Sequence, residues 1–148
     1  MRITQEADYA LRISTALSGA DRPIGAPQLS NDLRIPQRFT SKILRKLLLA
    51  GLVLSTRGAN GGFTLAENAD NITLLQIIEA VDGETAIRHC LTEEHVCDFQ
   101  PNKACCKYHR VFEELNRIIT SRLNRLTIAD MTNPQISACE LTKRLYQF

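Results

Sequence analysis

No apolar run in this 148-residue sequence approaches the ~20 residues that a helix needs to span a bilayer. The N-terminal stretch MRITQEADYALR carries acids early and has no apolar core of the kind found in a secretion signal. The two absences together lead us to expect a cytoplasmic protein. There are no internal repeats, which leaves out solenoids and propellers. No phosphate loop, nucleophile elbow or paired carboxylates appear, so nothing in the sequence supports an enzyme. Five cysteines in a cytoplasmic chain argue against structural disulfides and for metal binding or redox chemistry. The net charge of +2 is small, but its distribution is uneven. Residues 1–66 hold nine Lys/Arg and four Asp/Glu, a net of +5, whereas residues 67–148 hold nine and twelve, a net of −3. A positive N-terminal half suits phosphate contact.

A chain of this length with 44% hydrophobic residues can bury one core, or a small domain plus an oligomerisation element. Its organising stretch is IPQRFTSKILRKLLLAGLVLSTRGANGGF, Ile35 to Phe63. Pro36 suits the first helical position. Phe39, Ile43, Leu44, Leu47 and Leu48 recur at helical spacing, while Gln37, Arg38, Ser41 and Arg45 fall on the opposite side. Gly51 ends the helix. Leu52–Thr56, a glycine-rich turn and Phe63–Leu65 then read as a hairpin with Arg57 at its tip. A helix with a basic outer face followed by such a hairpin is the layout of a winged helix-turn-helix. Its helix fits the major groove and its tip arginine reaches phosphate or the minor groove. The residues assigned to DNA are Gln37, Arg38, Thr40, Ser41, Lys42, Arg45, Arg57 and Asn60.

Elsewhere, Thr4 caps a first helix with Glu6 in its first turn and Ala7, Ala10, Leu11, Ser14 and Leu17 on one face. Pro27–Leu33 forms the first helix of the helix-turn-helix. Thr73-Leu74-Leu75-Gln76 is a capping box opening a helix that Gly83 stops. Periodicity disappears from Glu84 to Cys105, a polar loop containing Pro101. A helix of about six turns runs from near Cys106 to Leu126, with Phe112, Leu115, Ile119, Leu123 and Leu126 as an apolar stripe that a second subunit would cover. Asn133 and Pro134 cap a last helix.

Cys90, Cys97, Cys105 and Cys106 fall within seventeen positions, with His109 one helical turn beyond Cys106. The gaps suit the corners of an iron–sulfur cluster better than structural zinc, whose ligands usually pair as C-x2-C. A metal-free thiol switch is the third reading, with Cys105 and Cys106 near Arg88, Lys103 and Lys107. A purely structural zinc adaptor would leave the basic helix and Arg57 unexplained. Cys139 reads as a small packing residue.

The chain resembles the Rrf-type bacterial winged helix-turn-helix transcription regulators, the family of the iron–sulfur assembly regulator IscR and the nitric-oxide sensor NsrR. The resemblance is carried by MRITQEADYALR, the Ile35–Phe63 stretch, ITLLQIIEAVDG, the cysteine loop and LTIADM at the end of the long helix. It implies a mainly α fold: a winged helix-turn-helix domain (1–83), a cysteine-rich sensor loop (84–106), and a dimerisation helix with a C-terminal helix (107–148). It also implies a homodimer on a partly palindromic double-stranded operator. Cys90, Cys97 and Cys106 match the family's cluster cysteines, with Cys105 as an extra thiol able to substitute for Cys106. Asp8 matches the carboxylate ligand of the nitric-oxide sensor, and His109 the histidine of the assembly regulator. Asp8 is taken as the fourth ligand, because it would tie the cluster to the DNA-binding half, with His109 as the alternative. The gaps between these cysteines are longer than the family's, which leaves the cluster type, 2Fe–2S or 4Fe–4S, open. The function so expected is a transcription regulator and redox sensor switched by a cysteine-ligated cluster. The alternative is the same regulator acting through cysteine oxidation or bound zinc.

Overall fold

Helix α1 (Gln5–Ser18) starts where the Thr4 hydroxyl accepts a hydrogen bond from the Ala7 amide. The computed structural model describes residues 3–92, 97 and 102–146. Ala7, Ala10, Ile13, Ser14 and Leu17 are the buried side of α1. Ile13 and Leu17 are the bulky members of a face that Ala7, Ala10 and Ser14 make narrow, and Leu11 is only half-buried. Small residues let α1 pack closely against the other helices of the N-terminal core.

The next two helices, α2 (Ala26–Leu33) and α3 (Gln37–Leu49), meet at a turn in which Arg34 is left-handed (φ 53°). That turn drops Ile35 into the core. Pro36 stands just before α3 as its cap, because its ψ of 134° is extended rather than helical. Leu52, expected in the strand, instead closes α3: its amide donates to the Leu47 carbonyl at 2.9 Å. The wing is the antiparallel pair β1 (Val53–Thr56) and β2 (Gly62–Leu65), with Val53 opposite Leu65 and Thr56 opposite Gly62. Its base is tied to the loop before α2, since Ile24 and Phe63 exchange backbone hydrogen bonds at 3.0 and 2.9 Å. Gly62 permits that approach. A Cβ there would lie 2.6 Å from the Ile24 carbonyl carbon.

Helix α4 (Leu74–Asp82) opens on a complete capping box, Thr73 with Gln76, and buries Ile77, Ile78 and Val81. One core joins these side chains to those of α1, α2, α3 and Val53. The expected sensor loop carries two short 3-10 turns, His89–Leu91 and Lys103–Cys105. Its residues 93–96 and 98–101, Pro101 among them, lie outside the described residues.

The long helix, α5 (Lys107–Leu123), is shorter than its periodicity suggested. It spans about 25 Å at ~1.5 Å per residue. Leu126 is not on its stripe. The chain turns after Asn124, and Leu126 is buried while its carbonyl accepts from the Leu74 amide. LTIADM is therefore a break and a new start: Thr127 and Asp130 form a second capping box that opens α6 (Ile128–Thr132). Ile128, fully buried, joins the core of the N-terminal half and is worth about 1.5–3 kcal/mol there. A boundary at residue 107 thus does not separate two cores. The last helix, α7 (Ala138–Tyr146), follows, and Arg144 on it pairs with Asp130.

Candidate DNA-binding surface and cysteine cavity

Helix α3 turns Ile43, Leu44 and Leu47 inward and leaves Gln37, Arg38, Ser41, Lys42 and Arg45 exposed along its outer side. Thr40 belongs with the inner set. It is fully buried, its hydroxyl facing the Ile35 and Pro36 carbonyls at 3.5 Å, so it cannot reach DNA. The assignment of Thr40 to DNA is corrected on that ground: at 3.6 residues per turn it stands three and four positions before Ile43 and Leu44. Arg57 and Asn60 are exposed at the tip of the wing. There a Cβ at Gly61 would meet the Thr56 carbonyl oxygen at 2.2 Å, which explains a glycine in so tight a turn.

One edge of α3 faces α1. Phe39 packs edge-on against Tyr9, with ring centroids 6.0 Å apart. One turn further on, Lys42 reaches Glu6 at 2.5 Å, and Lys46 reaches the other Glu6 oxygen at 2.9 Å. Lys46 also donates to the Val81 carbonyl at the end of α4, and the Thr4 hydroxyl donates to Asp82 beside it. Hydrogen bonds from Lys42 and Lys46 hold the Glu6 carboxyl below the usual carboxylate range. In the sequence Glu6 is merely first-turn charge, because its partners lie 36 and 40 residues away.

The second site is a cavity of about 250 Å³ lined by Arg88, Cys90, Cys97, Lys103, Cys106, Tyr108 and His109. Cys90 comes from the 3-10 turn His89–Leu91, and Cys106 is the residue that caps α5. His109 follows on the first turn of α5, and its Nδ1 is buried with no hydrogen-bond partner among the described residues. An unpartnered buried acceptor or donor is costly unless something occupies the space it faces. Three thiols and an imidazole are a soft donor set that fits iron or an iron–sulfur group. Among the described residues no three Cys, His, Asp or Glu side chains converge closely enough to hold a single metal ion. Cys105, though next to Cys106, is exposed and does not line the cavity, and Cys139 is exposed on α7 rather than packed.

Asp8 is elsewhere. It pairs with Arg12 at 2.8 Å and lines a different, apolar cavity with Leu11, Leu33, Leu74, Ile128 and Met131. Within the chain, then, the fold brings His109 to the cysteines and not Asp8. The helix α1 face that carries Asp8 lies beside α6 instead.

The segment leading into the cavity is fastened to α5 by Asn116. Its side-chain oxygen accepts from the Ile87 amide and its side-chain nitrogen donates to the Thr85 carbonyl, both at 3.0 Å. The Arg88 guanidinium lies 5.4 Å from the centre of the Phe112 ring. The sequence reading missed Asn116, although a signal was present: it is a polar residue on the same inward side as Phe112 and Leu123.

A model of the Rrf2 family, described as iron-dependent transcriptional regulators, matches residues 3–134. The chain belongs to the Rrf2 family. The protein Rrf2 of Nitratidesulfovibrio vulgaris is 28% identical over 133 residues, which cover 88% of this chain and 87% of that protein. The regulator IscR of Yersinia enterocolitica is 30% identical over 137 residues, covering 91% of this chain and 81% of that protein. Among solved structures, CymR, the global cysteine regulator of B. subtilis, superposes with a TM-score of 0.67 at 22% identity, over 89% of this chain and 96% of that one. IscR of T. potens gives 0.66 at 23%, over 88% and 85%. Those likenesses bear out the mainly helical winged helix-turn-helix fold. As a member of the Rrf2 family, the protein is a DNA-binding transcription regulator, not an enzyme. Among the described residues no helix is long and apolar enough to cross a membrane.

Proposed function

We propose that this Rrf2-family regulator is a cytoplasmic homodimer whose operator binding is switched by an iron–sulfur cluster held by Cys90, Cys97 and Cys106, with His109 as the fourth ligand. The observation that carries the reading is the convergence on one cavity of three thiols and a buried imidazole nitrogen that has no hydrogen-bond partner among the described residues. A donor set spread over a cavity wall suits a multi-atom group better than one small tetrahedral ion. When bound, such a group supplies iron that reacts with oxidants and small ligands. The chain's own part is to hold thiolates around it, to place the positive Arg88 and Lys103 beside those thiolates, and to leave the fourth position to a weaker nitrogen ligand.

On the DNA side, Gln37, Arg38, Ser41, Lys42 and Arg45 enter the major groove, and Arg57 with Asn60 contacts the backbone or minor groove from the wing. Support comes from their shared exposed face, bounded on its inner side by the core. The homodimer rests on α5. Tyr108, Val111, Leu115 and Ile118 are 66, 57, 44 and 41% exposed and recur at spacings of three and four, while Phe112, Ile119 and Leu123 turn toward the chain's own body. An apolar stripe of that kind is stable in water when a second helix covers it. Two copies joined along α5 present two recognition helices, which a partly palindromic operator would match.

Anaerobic reconstitution with iron and sulfide, followed by visible absorption spectroscopy, tests the cluster. The wild-type protein should gain a broad visible band, and Cys90→Ala, Cys97→Ala and Cys106→Ala should each lose it, while Cys105→Ala and Cys139→Ala keep it. A featureless spectrum from a protein that still binds DNA and answers to oxidants would replace the cluster by a thiol switch.

A further inference from the structure

We infer that Glu6 is a built-in restraint on DNA binding, holding Lys42 of the recognition helix against α1 until a DNA phosphate takes its place. The inference rests on the reading of α3 as the recognition helix. The Glu6 carboxylate is shared by two ammonium groups that differ in how firmly they are held. Lys46 is the more buried, with 32% of its side chain exposed, and it has the Val81 carbonyl as a second anchor. Lys42 is 54% exposed and, among the described residues, is held by Glu6 alone. Lys42 also sits between Arg38 and Arg45 on the exposed side of α3, so rotating its chain away from Glu6 carries the ammonium toward the same surface.

The charges explain what the exchange does. Glu6, Lys42 and Lys46 together carry a net charge of one, so in the free protein half of the positive charge at this edge of α3 is neutralised. When Lys42 meets a phosphate, DNA releases a condensed cation, but Glu6 loses one of its two counter-charges and draws a cation back. The ion balance of that contact is thereby reduced, and it is reduced for every sequence. Lys46 stays with Glu6 and Val81, so the packing of α1 on α3 survives the exchange. A restraint of this kind lowers attraction to arbitrary DNA and leaves base contacts from Arg38, Ser41 and Arg45 to decide where the protein stays. Glu6 is therefore a positioning residue, acting through Lys42.

The test is a salt titration of binding to a random-sequence duplex, followed by fluorescence anisotropy, with the full-length protein. Glu6→Gln keeps the side chain's shape and an acceptor for Lys46 while removing the charge. It should tighten binding by roughly threefold and steepen the dependence of log K on log salt by up to about 0.9. On a duplex enriched from a random library with the wild-type protein the gain should be about the same factor, because a phosphate contact acts on all sequences alike. In the Lys42→Met background the steepening should vanish. An unchanged or shallower slope for Glu6→Gln overturns the proposal, and so does a steepening that persists without Lys42. Arg57→Ala, measured alongside, keeps the two ideas apart. A flattened slope for Arg57→Ala with none of the expected change for Glu6→Gln sinks the restraint and leaves the DNA-binding surface standing.

Discussion

The Leu126 carbonyl accepts a hydrogen bond from the Leu74 amide at 2.9 Å, so the chain that leaves the N-terminal core along the cysteine segment and α5 is stitched back to the start of α4. The Ile128 amide repeats the stitch on the Ile72 carbonyl at 3.0 Å. Both ends of the α5 excursion are thereby anchored, one by Gly83 closing α4 and the other by Thr127 opening α6. The cysteine segment thus leaves directly from the end of α4, and α4 touches α3 through Lys46 and Val81.

That anchorage makes Asn116 testable. Asn116→Ala removes two hydrogen bonds to part-buried backbone at Thr85 and Ile87, each worth about 1 kcal/mol or more when lost without replacement. Hydrogen–deuterium exchange should show faster exchange at the Ile87 amide, with α1 and α3 unchanged. Equal protection in the variant would mean that the clasp does not hold the segment.

At the wing, Arg57→Ala should weaken binding to all DNA sequences and flatten the salt dependence by roughly one phosphate. If affinity and slope both stay as they are, Arg57 does not touch the backbone.

The exposed stripe of α5 gives a prediction about assembly. Ile118→Glu places a charge where a partner helix would bury it, at a cost of several kcal/mol unless it is paired. Multi-angle light scattering should report a dimer for the native chain and a monomer for the variant. A native monomer at micromolar concentration would end the dimer reading.

Asp130 predicts an acid limb. Burial opposes its charge, but hydrogen bonds from Thr127 and the nearby Arg144 guanidinium hold its pKa below the ordinary 3.8. A lowered folded-state value means that the stabilisation is fully present above pH 3.8 and is lost as pH falls through the folded value. Asp130→Asn should therefore cost about 1 kcal/mol at neutral pH, as a lost capping box does, and less as the solution is acidified below that window. Urea melts at several pH values would show it. A cost that does not shrink in acid would contradict the assignment.

The local part of this fold was legible because its signals are local. The Thr73–Gln76 capping box, the wing and the inward face of α3 all depend on residues within a few positions of one another. The end of α5 was misread because Leu123 and Leu126 are three apart, as in a helix, while Thr127 and Asp130 already spell the next capping box. The placement of Asp8 could not be read, since only tertiary packing puts it at the α6 side of α1 rather than beside the cysteines. Glu6 with Lys42, and Asn116 with Ile87, are likewise contacts between distant parts of the chain.

Whether the cysteine cavity governs operator binding is tested most directly by one anaerobic titration. Affinity for a duplex enriched from a random library is measured with reconstituted wild-type protein, before and after the visible band is bleached by an oxidant, and with Cys90→Ala treated in the same way. Wild-type affinity should change by roughly tenfold or more on bleaching, about 1.4 kcal/mol of coupling, and Cys90→Ala should have one affinity throughout. Equal wild-type affinities in the two states would contradict the proposed switch.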